Sequence, residues 1–118
     1  MWQRAIEMTV AVYELTSRFP REEIYGLAAQ LRRAGVSVAS NIAEGYGRSS
    51  SGEYKQFLGM ARGSNLELQT QLVIARKLRI GESEKVDQAE ALSVEVSKML
   101  VALMLNLGNK NAGRGSNR

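Results

Sequence analysis

The 118-residue chain contains no cysteine and no histidine. Without cysteine there is no disulfide and no thiolate zinc site. Without histidine there is no Ser-His-Asp triad, and most metal-ligand sets are excluded. Proline occurs once, at Pro20, and aromatic residues make up 6% of the chain, a composition that favours helices over strands. No stretch reads as long enough to span a bilayer. The start, MWQRAIEMTV, lacks the charged region and continuous apolar run of a signal peptide. The absence of cysteine fits a reducing compartment, so the expected location is the cytoplasm.

A strong charge of one sign is also missing from most of the chain. The net charge is +4, but the last eleven residues, GNKNAGRGSNR, hold three of the sixteen basic residues and no acid. The remainder carries thirteen basic against twelve acidic residues. Within it the charge is uneven. Arg21 to Arg79 has nine basic and five acidic residues, whereas Ile80 to Leu107 has two and five. The first stretch attracts polyanions and the second repels them.

What is present is helical periodicity. Ala5, Met8, Val12, Leu15 and Phe19 recur at steps of three and four, predicting a first amphipathic helix over about 3–18, with Gln3, Glu7, Glu14 and Arg18 opposite. Pro20 stops it. A second helix is expected over about 24–44, with Leu27, Leu31, Ala34, Val38 and Ile42 as its stripe, Glu22 and Glu23 at its positive end and Gly45 as its C-cap. After the loop GYGRSSSG, Ser50 with Glu53 matches a capping box for a third helix over about 52–78. Its core face runs through Tyr54, Phe57, Leu58, Ala61, Asn65, Leu68, Leu72 and Ala75, and Gly81 ends it. A fourth follows to about Leu107 through Val86, Ala89, Leu92, Val96, Leu100 and Leu103. The fold class is therefore all-α: an antiparallel up-down-up-down four-helix bundle over 1–107, with a disordered basic tail over 108–118.

Two features exceed what one copy needs. Away from its stripe, the second helix carries Ala28, Ala29, Gly35, Val36, Ala39, Ser40 and Ala43, with Arg32 the only charge among them. In the fourth, MLVALMLNL (99–107) is apolar on every face except at Asn106. Both imply burial against further copies, so a homo-oligomer is expected.

A polar seam runs beside the core. Gln30, Arg33, Ser37, Asn41 and Glu44 share one sector of the second helix, and Met60, Ser64, Glu67, Gln71 and Ile74 share one of the third. Antiparallel pairing would set Glu44 and Asn41 toward Met60 and Ser64, and Ser37 and Arg33 toward Glu67 and Gln71, with an Arg33–Glu67 ion pair. Such a seam specifies which helices meet. It also reads as a ligand cleft, and Glu44 with Glu67 as an acid/base pair. A di-metal bundle site needs Glu-x-x-His pairs, which this chain lacks. Arg48 and the serines at 49–51 face the start of the third helix, where either a simple capped turn or an anion site fits. Arg32, Arg33, Arg48, Lys55, Arg62, Arg76, Lys77 and Arg79 are the nucleic-acid candidates. Without interleaved aromatics, any such binding is backbone-directed, and the alternative is a solvated basic face.

Arg32-Arg33-Ala34, Ser37, Ser40-Asn41-Ile42-Ala43-Glu44-Gly45, Arg48, Phe57-Leu58, Ala61, Gly63-Ser64, Glu67 and Gln71, together with FPREEIYGL (19–27) and Trp2, closely resemble the four-helix-bundle proteins encoded in bacterial 23S rRNA intervening sequences. That resemblance covers nearly all the chain before Gly108. It implies a ring assembly, a homopentamer above all. The family is similar to accessory bundle proteins of diversity-generating retroelements, basic rings that bind nucleic acid and a reverse transcriptase, which implies a nucleic-acid-associated or adaptor role. The family often has proline where Ala39 stands, so the second helix is expected to run straighter. The expected protein is non-catalytic, without cofactor, membrane or small-molecule partner. Its partners are its own copies and either RNA or DNA or a further protein, for which it acts as a scaffold.

Overall fold

The computed structural model describes the backbone of residues 1–116 and the side chains of residues 1–108. Four α-helices account for the architecture: α1 (Trp2–Thr16), α2 (Leu27–Tyr46), α3 (Ser51–Leu78) and α4 (Ser83–Ser116). A single 3₁₀ turn, Arg21–Glu23, precedes α2, and no strand occurs among the described residues. Each helix packs on its neighbours in sequence, and α1 also packs on α4, so α1 and α3 occupy diagonal corners. Contacts run in reverse order along every neighbouring pair. Thr9 meets Gly35 and Thr16 meets Arg32; Ser37 meets Ser64 and Gly45 meets Tyr54; Asn65 meets Ser93 and Arg76 meets Asp87; Arg4 meets Glu95 and Arg18 meets Glu82.

The core is made by the stripes the periodicity picks out. Ala5, Met8, Val12 and Leu15 of α1, Leu31, Ala34, Val38 and Ile42 of α2, Leu58, Ala61, Leu68, Leu72 and Ala75 of α3, and Val86, Ala89, Val96 and Leu100 of α4 are all buried in one cluster. Each fully buried aliphatic side chain contributes about 1.5–3 kcal/mol relative to exposure. One polar pair sits inside: Asn65 Nδ2 donates to the Ser93 carbonyl at 2.9 Å, and Ser93 Oγ donates to Asn65 Oδ1 at 2.7 Å.

Several element ends differ from the sequence expectation. Helix α2 begins three residues late, at Leu27, because the 3₁₀ turn takes up the preceding chain; the Glu23 carboxylate then accepts the Leu27 N–H at 3.2 Å. Gly45 is not a C-cap. It lies inside α2, which runs to Tyr46, and a Cβ there would come within 2.9 Å of the Tyr54 ring. Close helix approach, rather than a left-handed turn, requires the glycine. Tyr54 itself packs 5.7 Å from the Tyr46 ring, and burial followed by that neighbour pushes its phenol up to about 12. Ser50 caps α3 as expected, its Oγ accepting the Glu53 N–H at 3.1 Å. At the far end the left-handed cap is Arg79 (φ 57°), and the Ile80 N–H reaches back to the Ala75 carbonyl; Gly81 (φ 86°) follows, pressed on Phe19.

Helix α4 continues past Leu107 to Ser116, so the helix backbone extends into the stretch the sequence reads as tail. The side chains of Lys110 and Arg114, and Arg118 entirely, lie outside the described residues. The expectation that no stretch is long enough for a bilayer is also corrected. Ser83–Gly108 is long enough, and holds an 18-residue stretch with a mean hydropathy of 1.4, which is apolar enough by length and composition alone. Counting only the unbroken run 99–107 missed this, since the neighbouring apolar residues Leu92, Val94 and Val96 offset the charges at Glu95 and Lys98. In this fold the same helix packs one face on α1 and α3.

Three substitutions test this packing. Gly45→Ala gains about 1 kcal/mol of helix propensity but overpacks Tyr54 at about 1–3 kcal/mol, so thermal unfolding shows net destabilisation. Gly63→Ala, where a Cβ meets nothing within 4 Å, gains the propensity alone and raises Tm. Asn65→Ala leaves a cavity and strands the Ser93 groups, costing about 2–4 kcal/mol by denaturant titration.

Candidate functional site

The polar seam forms a groove between α2 and α3, about one helical turn out of the expected register. Ser37 and Ser64 hydroxyls lie 2.8 Å apart and bridge the helices. Asn41 does not reach across to α3. Its Nδ2 donates to the Ser37 carbonyl at 2.9 Å and to Ser37 Oγ at 3.1 Å, which fixes the Ser37 hydroxyl. Glu44 points along its own helix to Arg48, at 3.9 Å. The expected Arg33–Glu67 ion pair is absent: no salt bridge within 4.0 Å joins them or involves either one among the described residues. Both nevertheless line a single groove of about 280 Å³ with Gln30, Ala34, Ser37, Ser64 and Gln71. Gln71 Oε1 is buried there without a hydrogen-bond partner. An unmet buried acceptor costs about 1–3 kcal/mol. Glu44, turned to Arg48, is not among the residues that line the groove with Glu67. Among the described residues no cluster of three or more acidic side chains has a metal-binding arrangement.

The basic candidates divide into two sets. Arg32 is held inside the bundle surface, its Nε donating to Thr16 Oγ1 at 2.7 Å and its guanidinium 4.6 Å from the centre of the Tyr13 ring. Arg48 lies 4.4 Å from the centre of the Phe57 ring, so it closes the α2–α3 turn rather than leaning over the start of α3. Ser50 is engaged as the cap at that turn. Arg76 bridges to Asp87 at 2.7 Å and Glu90 at 2.9 Å; hydrogen bonding, to Glu90 first, raises its pKa above the usual arginine range. Lys55, Arg62, Lys77 and Arg79 are exposed and make no ion pair among the described residues. They are spread along α3, with Leu66, Val73 and Ile74 exposed between them.

The face that sequence reasoning missed is on α1. Trp2, Ile6, Val10 and Tyr13 follow one another at steps of four, four and three, and all are exposed, Val10 at 51%. This is a second helical stripe, legible by the same periodicity that found the first. Val36 of α2 is exposed as well, at 44%. By contrast, the small residues of α2 largely serve the chain itself. Ala28 and Ala39 are buried, and a Cβ on Gly35 would sit 3.3 Å from the Thr9 hydroxyl of α1. Ala29 is half-buried, and only Val36, Ser40 and Ala43 of that set are open. In the apolar run of α4, Leu100 is buried, while Ala102 and Leu105 are exposed.

The chain matches the family model described as "23S rRNA-intervening sequence protein" over residues 1–102. No curated protein matches it. A solved structure from Bacteroides thetaiotaomicron, described as a protein of unknown function from the S23 ribosomal protein family, superposes with a TM-score of 0.76. It shares 20% identity over 87% of this chain and 96% of that one, which speaks for a shared fold. With the family match spanning most of the residues that build the four helices, the chain belongs to the 23S rRNA-intervening sequence protein family.

Proposed function

We propose that this protein is a non-catalytic scaffold: an up-down-up-down bundle whose copies associate side by side into a homo-oligomeric ring in the cytoplasm. The carrying observation is the exposed Trp2–Ile6–Val10–Tyr13 stripe. A soluble helix ordinarily offers solvent a polar face, and a contiguous apolar one marks an interaction surface. A second apolar surface, with Leu66 and Val73, lies on α3, the helix diagonal to α1. Two different sticky surfaces on opposite corners favour head-to-tail contacts, which close into rings when the rotation allows. Five subunits is the number the family resemblance leads us to expect. Further proteins then dock on the assembled ring.

A second reading, association with RNA or DNA, is favoured by the exposed Lys55, Arg62, Lys77 and Arg79 on and just beyond α3, which make no ion pair among the described residues. A ring repeats this sparse row, and avidity makes a weak repeated site effective. Contacts of this type go to phosphates and carry no sequence preference. The aliphatic side chains between the cations place this reading second.

Val10→Glu, on the outside of α1, is expected to leave helicity intact and convert the assembly to a 13 kDa species in light scattering. A wild-type chain already at that mass over a wide concentration range would end the ring proposal. For nucleic acid, binding is expected to weaken with salt at a log–log slope of about −0.9 per phosphate contact on duplex DNA. Arg62→Ala removes about one contact from that slope, whereas Arg76→Ala, already paired to acids, leaves it unchanged. Absence of binding at low salt eliminates the second reading and leaves the scaffold.

A further inference from the structure

We propose that, in the ring on which this contact rests, the outer stripe of α1 on one copy seats in the groove between α3 and α4 of the next. That groove, about 490 Å³, is lined by Val94, Val101, Ala102 and Leu105 of α4 and by Gln69 of α3. Leu105 is 63% exposed and Val94 40%. Leu66 and Val73 lie one turn either side of Gln69 and carry the apolar surface onto α3. A single bundle leaves all of this in water, and apolar surface of that extent marks a contact.

Shape, length and charge point to α1 as the occupant. The α1 stripe is a ridge, since Ile6 and Val10 line hollows on both of its sides. Packing a ridge of one helix into the groove of another is the ordinary way helices meet. The stripe from Trp2 to Tyr13 and the groove from Val94 to Leu105 each cover eleven residue steps, about 16.5 Å at the helical rise. Lys98 is the one charged residue that lines the groove. Beside Ile6 and Val10, on the side toward α4, the charged residues are Glu7, Glu14 and Glu95. Their partners, Arg4 with Glu7 and Glu95, and Lys85 with Glu14, are surface pairs that exchange at little cost. Stripe against stripe would set Glu7 and Glu14 of one copy against those of another, and groove against groove would oppose two Lys98. Stripe in groove sets acid against base. A nucleic acid would find only that one cation in the groove, whereas its binding is built from many phosphate contacts.

The test is complementation between two broken copies. Val10→Glu spoils the stripe and keeps the groove; Leu105→Glu spoils the groove and keeps the stripe. Each alone is expected at 13.0 kDa in light scattering, with unchanged far-ultraviolet circular dichroism. Mixed at high concentration, they are expected to give a species at twice that mass and none larger, because one sound groove meets one sound stripe. The chain has no cysteine, so Val10→Cys co-assembled with Leu105→Cys gives a second readout. A bismaleimide is expected to link the two variants to each other and neither to itself. A Leu105→Glu chain that assembles as the wild type does overturns this seating and leaves the ring standing. Linking of Val10→Cys to itself, or a mixture that neither pairs nor cross-links, overturns it too. If Leu105→Glu keeps its assembly but loses sedimentation with phosphatidylglycerol vesicles, the groove serves a lipid surface instead. A wild-type chain at 13.0 kDa throughout removes the ring and the contact together.

Discussion

The reciprocal hydrogen bonds between Asn65 and Ser93 are the constraint around which the bundle is organised. Both side chains are buried in an otherwise aliphatic layer, and each meets the other's needs in full view of no water. Sliding α3 along α4 by one turn would leave both without partners, at a cost of several kcal/mol against a total stability that is typically about 5–15 kcal/mol. Aliphatic stripes alone tolerate such slips, since one leucine packs much like another. The pair therefore sets the register of α4, against whose buried Val86, Ala89, Val96 and Leu100 the core face of α1 packs.

Once α1 is seated, its two-sided character shapes the outer surface. One stripe, from Ala5 to Leu15, fills the core, while Trp2 to Tyr13 looks outward. Its seat on α2 also explains the small residues there. Gly35 lets Thr9 come close enough for its hydroxyl to donate to the Gly35 carbonyl at 3.0 Å while also reaching the Ala5 carbonyl at 2.8 Å. The crowding that looked like a subunit boundary is mostly an intramolecular helix contact. The apolar surplus lies instead on α1, on the outside of α3 and along the far part of α4.

The seam was legible in composition but not in pairing. Helical phase grouped Arg33, Ser37, Asn41, Glu44, Ser64, Glu67 and Gln71 in one seam, and five of these, without Asn41 and Glu44, line one groove. It did not foresee that Ser37 would meet Ser64, or that Asn41 would turn back onto its own helix. The distribution of cations met the same limit. Exposure follows from phase, but whether Arg76 finds Asp87 and Glu90, or Arg32 finds Thr16 and Tyr13, depends on which helix lies alongside.

The amino-acid sequence alone determined the four helices, their inward stripes and the cap at Ser50, because helical period and capping are local properties carried by residues three or four apart. The tertiary structure decided the rest: the 3₁₀ entry to α2, the interior place of Gly45, the register of the seam and the unpaired state of Arg33, Glu67 and Gln71. The register of the seam depends on contacts across 27 positions, as of Ser37 with Ser64, and the place of Gly45 depends on Tyr54 of the next helix. Such contacts are set by how loops cross and how side chains interlock, and a periodicity of 3.6 carries no information about either.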